Sequence, residues 1–215
     1  MSERLTPKVV AALRAMHSNL LKWHYTREIA KLSGTGKSTI SDEFPRLAKQ
    51  GILLQRTEGR EVYYRLNLTN PNARKLAELF EIERRQKFYR VNRRLSWALQ
   101  DYAKNIFNFL PEVQSVILFG SAARGQLTKA SDVDLLVVVP NLQQQSFNEL
   151  MKSVNRLAAD SRGKYGFQLS AVHMTIKDFE TAFRERKRIT EDIAQEGIVL
   201  FGEERYYALL SRLVA

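Results

Sequence analysis

The sequence predicts an α+β chain of two domains joined by a helical linker, and three observations carry that reading. Residues 1–70 show helical periodicity followed by a pair of β-prone runs, residues 71–110 contain no glycine and read as helix, and from residue 111 strands and helices alternate. At 215 residues the chain is long enough for each domain to bury its own core. The expected boundaries are 1–70, 71–110 and 111–215.

Taken in order, TPKVVAALRAMHSNLL (6–21) repeats apolar residues at helical spacing behind a Thr6-Pro7 start. Thr26 opens a short helix whose apolar face is Ile29, Ala30 and Leu32, with Gly34 as its stop. KSTISDEFPRLAKQG places Ile40, Phe44 and Leu47 on one helical face, and Pro45 removes a backbone donor inside it. ILLQRT and EVYYRLNL then read as a hairpin around Glu58-Gly59. Three helices followed by a hairpin is the order of a winged helix-turn-helix. The linker predicts one long or two consecutive helices, with apolar positions Leu76, Leu79, Phe80, Ile82, Leu95, Leu99, Tyr102 and Ile106, and a homodimer through residues 71–110 is a further expectation. Beyond it, VQSVILFG, SDVDLLVVVP, FQLSAVHM and GIVLFG read as strands. The helical stretches between and after them are QQSFNELMKSVNRLAADSRGKYG, IKDFETAFRERKRITEDIAQEG and EERYYALLSRL.

Composition narrows the function classes. The absence of cysteine excludes disulfides, thiolate zinc sites and a cysteine nucleophile, and suits a reducing, cytoplasmic setting. No apolar run reaches the roughly 20 residues that cross a bilayer, so no membrane partner is expected. The net charge of +11 is unevenly spread: 12 Lys/Arg stand against 6 Asp/Glu in residues 1–70, 9 against 4 in 71–110, and 13 against 13 in 111–215. A basic front half beside a neutral second half points to a polyanion as the partner of the first.

GTGKST imitates a phosphate-binding P-loop, but the glycine required five residues before Gly36 is Lys31, and no buried strand leads into the loop. Between two short helices it fits instead the turn before a recognition helix. Lys37, Ser38, Thr39 and Ser41 near that helix's start, and Arg46 further along, would face duplex DNA. The segment REIAKLSGTGKSTISDEFPRLAKQGILLQRTEGREVYYRL resembles the winged-helix transcription regulators of bacteria and archaea; the resemblance implies DNA contacts by Arg56 and Arg60 beside the wing tip.

The sharpest signal is ILFGSAARGQLTKASDVDLLVV, residues 117–138. A buried strand leads to Gly120-Ser121, where a missing side chain and a hydroxyl suit phosphate. Asp132 and Asp134 are two apart at a strand start, so they project to one face while Val133 and Leu135 turn to the core. Paired carboxylates suit a hard cation such as Mg2+ that keeps waters and substrate oxygens; alternatively they pair with Arg124 or Lys129. Metal-bridged triphosphate is equipment for phosphoryl or nucleotidyl transfer.

GSAARG followed by SDVDLLVV resembles the minimal nucleotidyltransferases of the DNA polymerase beta superfamily, over about residues 111–202, and IAQEGIVLFG is similar to that family's usual close. The resemblance implies a polymerase-beta-like α/β domain, with Gly120, Ser121 and Arg124 binding a nucleoside triphosphate, expected to be ATP, and Asp132 and Asp134 holding Mg2+. It also implies transfer of a nucleoside monophosphate to a hydroxyl. One departure is plain: a third carboxylate commonly projects from a later strand, and FQLSAVHM has none. Gln168 and Ser170 face one way there but are not anionic bases, His173 is out of phase with them, and Asp160 and Asp178 lie outside the strand. The alternatives left open are a nucleotide-sensing transcription regulator with a degenerate transferase domain, or an antitoxin-like protein that modifies a toxin or another protein acceptor. Trp23 and Trp97 read as packing aromatics, and Arg184, Arg186, Lys187 and Arg188 as a solvated basic run.

Overall fold

A computed structural model describes residues 5–128 and 132–214, a mixture of helices and two small sheets that fits the α+β expectation. The chain divides into two compact units at Phe80/Glu81.

The first unit holds α1 (Pro7–His17), β1 (His24–Tyr25), α2 (Thr26–Ser33), α3 (Lys37–Lys49), β2 (Leu53–Glu58) and β3 (Glu61–Leu66), with sheet order β1-β3-β2, antiparallel throughout. Local chemistry sets the boundaries. The Thr6 hydroxyl accepts from the Val9 amide at 3.4 Å, with proline in the first turn. Gly34 ends α2 in the left-handed region at φ 67°. Pro45 lies inside α3, which continues through it to Lys49. Val9, Leu13, Met16, Ile29, Ile40, Phe44 and Leu53 form the buried interior, and Tyr64 meets Phe44 edge-on at 5.3 Å. β1 is the element the sequence does not announce, since two residues carry no periodicity; α1 correspondingly ends at His17 rather than running to Leu21.

Residues 71–110 form two helices, α4 (Pro71–Val91) and α5 (Arg93–Phe109), broken at Asn92. Ala73, Ala77 and Phe80 are buried on the first part of α4, whereas Leu79, expected on the apolar face, is half exposed; Trp97 on α5 is 60% exposed, not packed.

The second unit continues with β4 (Ser115–Leu118), α6 (Gly120–Ala123), β5 (Val133–Val139), α7 (Gln144–Tyr165), β6 (Leu169–Thr175), α8 (Ile176–Arg184), α9 (Arg188–Glu196), β7 (Ile198–Phe201) and α10 (Glu203–Leu213). The sheet order is β6-β5-β4-β7, with β5 and β6 parallel and the other pairs antiparallel. Every residue of β4, and all of β5 except Asp134, is buried, as expected of a sheet covered on both faces. Val133, Leu135, Val137 and Val139 share a core with Leu150 and Val154 of α7 and with Leu99, Tyr102 and Ile106 of α5. The stretch 176–197, expected as a single helix, is interrupted between α8 and α9, where Arg186 adopts φ 53°.

β7 is an edge strand, and α4 covers its free backbone. The Val199 amide donates to Glu81 Oε1 at 2.8 Å, Arg85 Nη1 donates to the Val199 and Leu200 carbonyls at 3.0 and 3.1 Å, and Arg84 donates to the Glu196 and Gly197 carbonyls at 2.7 and 2.9 Å. The Tyr207 hydroxyl donates to Glu81 Oε2 at 3.1 Å. Burial pushes the Glu81 carboxyl above its usual range in spite of these donors and of Arg84 beside it.

The folded state therefore binds the Glu81 proton more tightly than the unfolded chain does. The matching stability is fully present below the unfolded pKa and is lost as pH rises through the folded one. Glu81→Gln should flatten that decline when urea unfolding is followed from pH 5 to pH 8. Glu81→Ala, which strands both donors in the interior, should cost about 2–4 kcal/mol at either pH.

Candidate active site

Four short elements assemble the site. β4 delivers the chain to Gly120, which turns into α6 at φ 70°, a conformation glycine adopts without penalty. β5 lies antiparallel beside β4, with Leu118 opposite Leu135 and the Phe119 amide donating to the Asp134 carbonyl at 3.0 Å. That register brings the Asp134 carboxylate against Gly120: a Cβ built there would lie 2.5 Å from Asp134 Oδ2. The bare Cα is thus required twice, by the backbone angle and by the neighbouring carboxylate.

Asp132 is exposed just before β5 and Asp134 is half buried on it, while Val133 and Leu135 between and after them are fully buried. Burial first, and then the negative charge of Asp132, push the Asp134 carboxyl up, partly offset by Arg124. Asp132 and Asp134 are therefore close enough to resist each other's charge. Arg124 does not lock onto them: its Nη1 pairs with Glu196 at 2.9 Å and its Nε donates to Gln126 Oε1 at 3.3 Å. Lys129, the other expected partner, lies outside the described residues. Ser121 is half buried in the first turn of α6.

This arrangement fits a divalent cation. A half-buried carboxylate whose ionised form is disfavoured by its neighbour gains from a positive charge between the two, and magnesium needs only one or two carboxylates when phosphate oxygens and water complete its shell. Among the described residues no cluster of three or more His, Cys, Asp or Glu is placed to hold a metal.

The parallel register of β5 and β6 sets Asp134 opposite Ser170 and Val137 opposite His173. Ser170 thus shares the face of Asp134, and His173 belongs to the other face; burial holds the His173 imidazole below its ordinary pKa and its Nε2 has no partner. Asp178 is accounted for locally, as the acid of a capping box with Thr175 at the start of α8. The contributor that sequence reasoning missed is Glu196, 72 residues from Arg124, whose carbonyl is held by Arg84 and whose carboxylate holds Arg124. An exposed glutamate at a helix end gives no signal of such a role.

Residues 101–200 match the family model of the nucleotidyltransferase domain. No curated protein and no solved structure matches the chain. The match covers β4, α6, β5, α7, β6, α8 and α9, so the nucleotidyltransferase region contains every element that builds the site.

In the first unit, Tyr25, Thr26, Arg27, Lys37, Ser41, Arg60, Glu61 and Val62 line an open cleft of about 310 Å3. It brings together Lys37, Ser41 and Arg60 of the expected DNA-contacting residues and adds Arg27, which the sequence did not single out. Ser38 and Thr39 lie on the same first turns of α3, Arg46 is turned to Glu43 at 3.3 Å, and Arg56 stands over the Trp23 ring at 4.7 Å. Among the described residues no helix is long and apolar enough to cross a membrane.

Gly120→Ala tests the close approach in the nucleotidyltransferase region. The strained φ and the contact with Asp134 should together cost about 1–3 kcal/mol in denaturant unfolding. If the Asp134 contact matters to nucleoside triphosphate binding, the same variant should lose it in a direct titration, while Gly125→Ala, which shares the positive φ (71°) but has open space around its Cα, should keep it.

Proposed function

We propose that the chain is a magnesium-dependent nucleotidyltransferase whose N-terminal unit is a winged helix that binds duplex DNA. The observation that carries the enzymatic half is the Asp134 carboxylate set against Gly120, with the charge of Asp132 acting on it, inside the region that matches the nucleotidyltransferase model. The DNA half is supported by the element order α1, α2, α3, β2, β3 and by a cleft holding Arg27, Lys37 and Arg60 beside the start of α3.

Asp132 and Asp134 would hold the magnesium, which when bound neutralises charge on the triphosphate as the α-phosphate is attacked. The Gly120-Ser121 turn leaves backbone open to a phosphate and offers the serine hydroxyl as a donor. Arg124 reaches the triphosphate by leaving Glu196, an exchange between exposed groups that costs little. The attacking hydroxyl meets no third anion, because Ser170 stands opposite Asp134 on β6. Proton removal by a placed base is worth roughly 10²–10⁴ in rate, so transfer is slow rather than absent. ATP as the nucleotide, a protein or toxin as the acceptor, a homodimer through residues 71–110 and a cytoplasmic location belong to the same proposal.

With α-labelled nucleoside triphosphate, the double variant Asp132→Ala, Asp134→Ala should abolish labelling of an acceptor. Ser170→Asp, which supplies the missing acid, should raise turnover by about 10²-fold. Ser170 also favours a second reading, a regulator that senses nucleotide without turnover. Nucleotide binding by the wild-type chain, with no transfer by it or by Ser170→Asp, would select that reading.

For the N-terminal unit the expectation is affinity for duplex DNA that falls steeply with salt, because each phosphate contact releases condensed cations. A gel-shift series at increasing salt should show Lys37→Ala and Arg60→Ala each making the slope shallower by about one. Salt-independent or absent binding rejects the DNA half and leaves the transferase half standing.

A further inference from the structure

The outer face of the first unit's sheet carries a cluster of which the duplex-binding reading uses only Arg56 and the transferase reading nothing. Register places Tyr25 and Arg56 beside Tyr63 on either side, and Arg65 opposite Leu54, so the side chains of Tyr25, Arg56, Tyr63 and Arg65 share the face opposite buried Tyr64. Trp23, just before β1, joins them. The Arg56 guanidinium sits 4.7 Å from the Trp23 ring centroid and 5.3 Å from that of Tyr63, and the Arg65 guanidinium sits 4.9 Å from Trp23. Tyr25 and Tyr63 lie 6.2 Å apart.

Two cations held on one indole repel each other, and burial first, then the charge of Arg56, draws the Arg65 pKa down. Arg56 has Glu58 at 3.2 Å, whereas Arg65 has no ion pair among the described residues. The face thus combines one guanidinium without an ion pair among the described residues, Arg65, with three half-exposed aromatic rings, while at its turn end Glu58 pairs with Arg56 and Glu61 accepts from the Tyr63 hydroxyl at 2.9 Å. An acidic peptide would answer the charge and leave the rings unused. A duplex would answer it with phosphates but keeps its bases stacked inside. A single strand supplies both partners, phosphates for the guanidiniums and free base faces for the rings.

The geometry points to this sheet face, Trp23, Tyr25, Arg56, Tyr63 and Arg65, as a binding platform for single-stranded nucleic acid. The phosphodiester lies along Arg56 and Arg65, and bases stack on the tyrosine rings. The platform adjoins the cleft at α3 through Tyr25, which lines both, and does not rest on the transferase reading.

The experiment uses the full chain with Trp97→Phe, which leaves Trp23 as the single tryptophan reporter. It is titrated at low salt with a single-stranded oligothymidine, a hairpin duplex of similar length and a polyaspartate peptide. The expected result is quenching of Trp23 by the single strand at concentrations at least about tenfold below those needed for the duplex. Arg65→Ala and Tyr63→Ala should each weaken the single strand about tenfold, and Lys152→Ala, an exposed lysine on α7 of the second unit, should leave it unchanged. Arg56→Ala, on an exposed side chain, repeats the test if Arg65→Ala fails to fold; it should also weaken the single strand. Equal response to duplex and single strand, equal response to polyaspartate, no response to the single strand, or indifference to the arginine and tyrosine changes would overturn the proposal. Loss of duplex binding alone would count against the winged-helix reading and not against this one.

Discussion

The contact between the Asp134 carboxylate and the bare Cα of Gly120 is the constraint on which the second unit's chemistry rests. It is a product of sheet register: Leu118 must lie opposite Leu135 for the end of β4 and the start of β5 to meet at that point. A slip of one residue would turn Asp134 into the apolar interior and Val133 out of it, so burial of Val133 and Leu135 holds the acid in place as firmly as any polar contact does. The core thereby specifies the site, and any side chain at position 120 would have to displace the Asp134 carboxylate and adopt a positive φ.

The same economy governs the opposite edge of the sheet. β7 would expose a row of unpaired backbone groups, and α4 satisfies them with Glu81, Arg84 and Arg85, side chains three and four apart and so on one helical face. Burying a carboxylate is unfavourable unless it is well bonded, and Glu81 receives an amide, a phenol and the attraction of Arg84. Through Glu196 this edge reaches the site, since one residue offers its carbonyl to Arg84 and its carboxylate to Arg124. Arg124 is consequently held near Asp134 without neutralising it, close enough to lower its pKa and yet committed elsewhere.

What was legible in the sequence follows the range of the interaction. Thr6, Gly34 and the Glu58-Gly59 turn act over three or four residues, and each element they bound was readable. Asp134 follows the two-residue period of β5, with Val133 and Leu135 turned to the core, whereas Asp132 stands just before the strand, where that period does not reach. The break between α8 and α9 was hidden, because Arg186 takes a left-handed angle with no glycine to signal it. β1 exists only by virtue of its pairing with β3, and the clamp of α4 on β7 joins residues more than a hundred apart. Leu79 and Trp97 went astray for a related reason: periodicity marks an apolar residue, but which face a helix turns inward is decided by its partner.

The place where local pattern and family pattern part is Ser170, and magnitudes say what the parting means. Holding a magnesium-bound triphosphate asks for one or two carboxylates with open coordination, and in the proposed reading Asp132 with Asp134 would supply them without help from β6. Drawing off a proton asks for a base within hydrogen-bond reach, and a serine at neutral pH is none. In the proposed reading Ser170 thus separates binding from turnover: the ground-state site at Gly120, Asp132 and Asp134 does not depend on a base from β6, whereas the rate does.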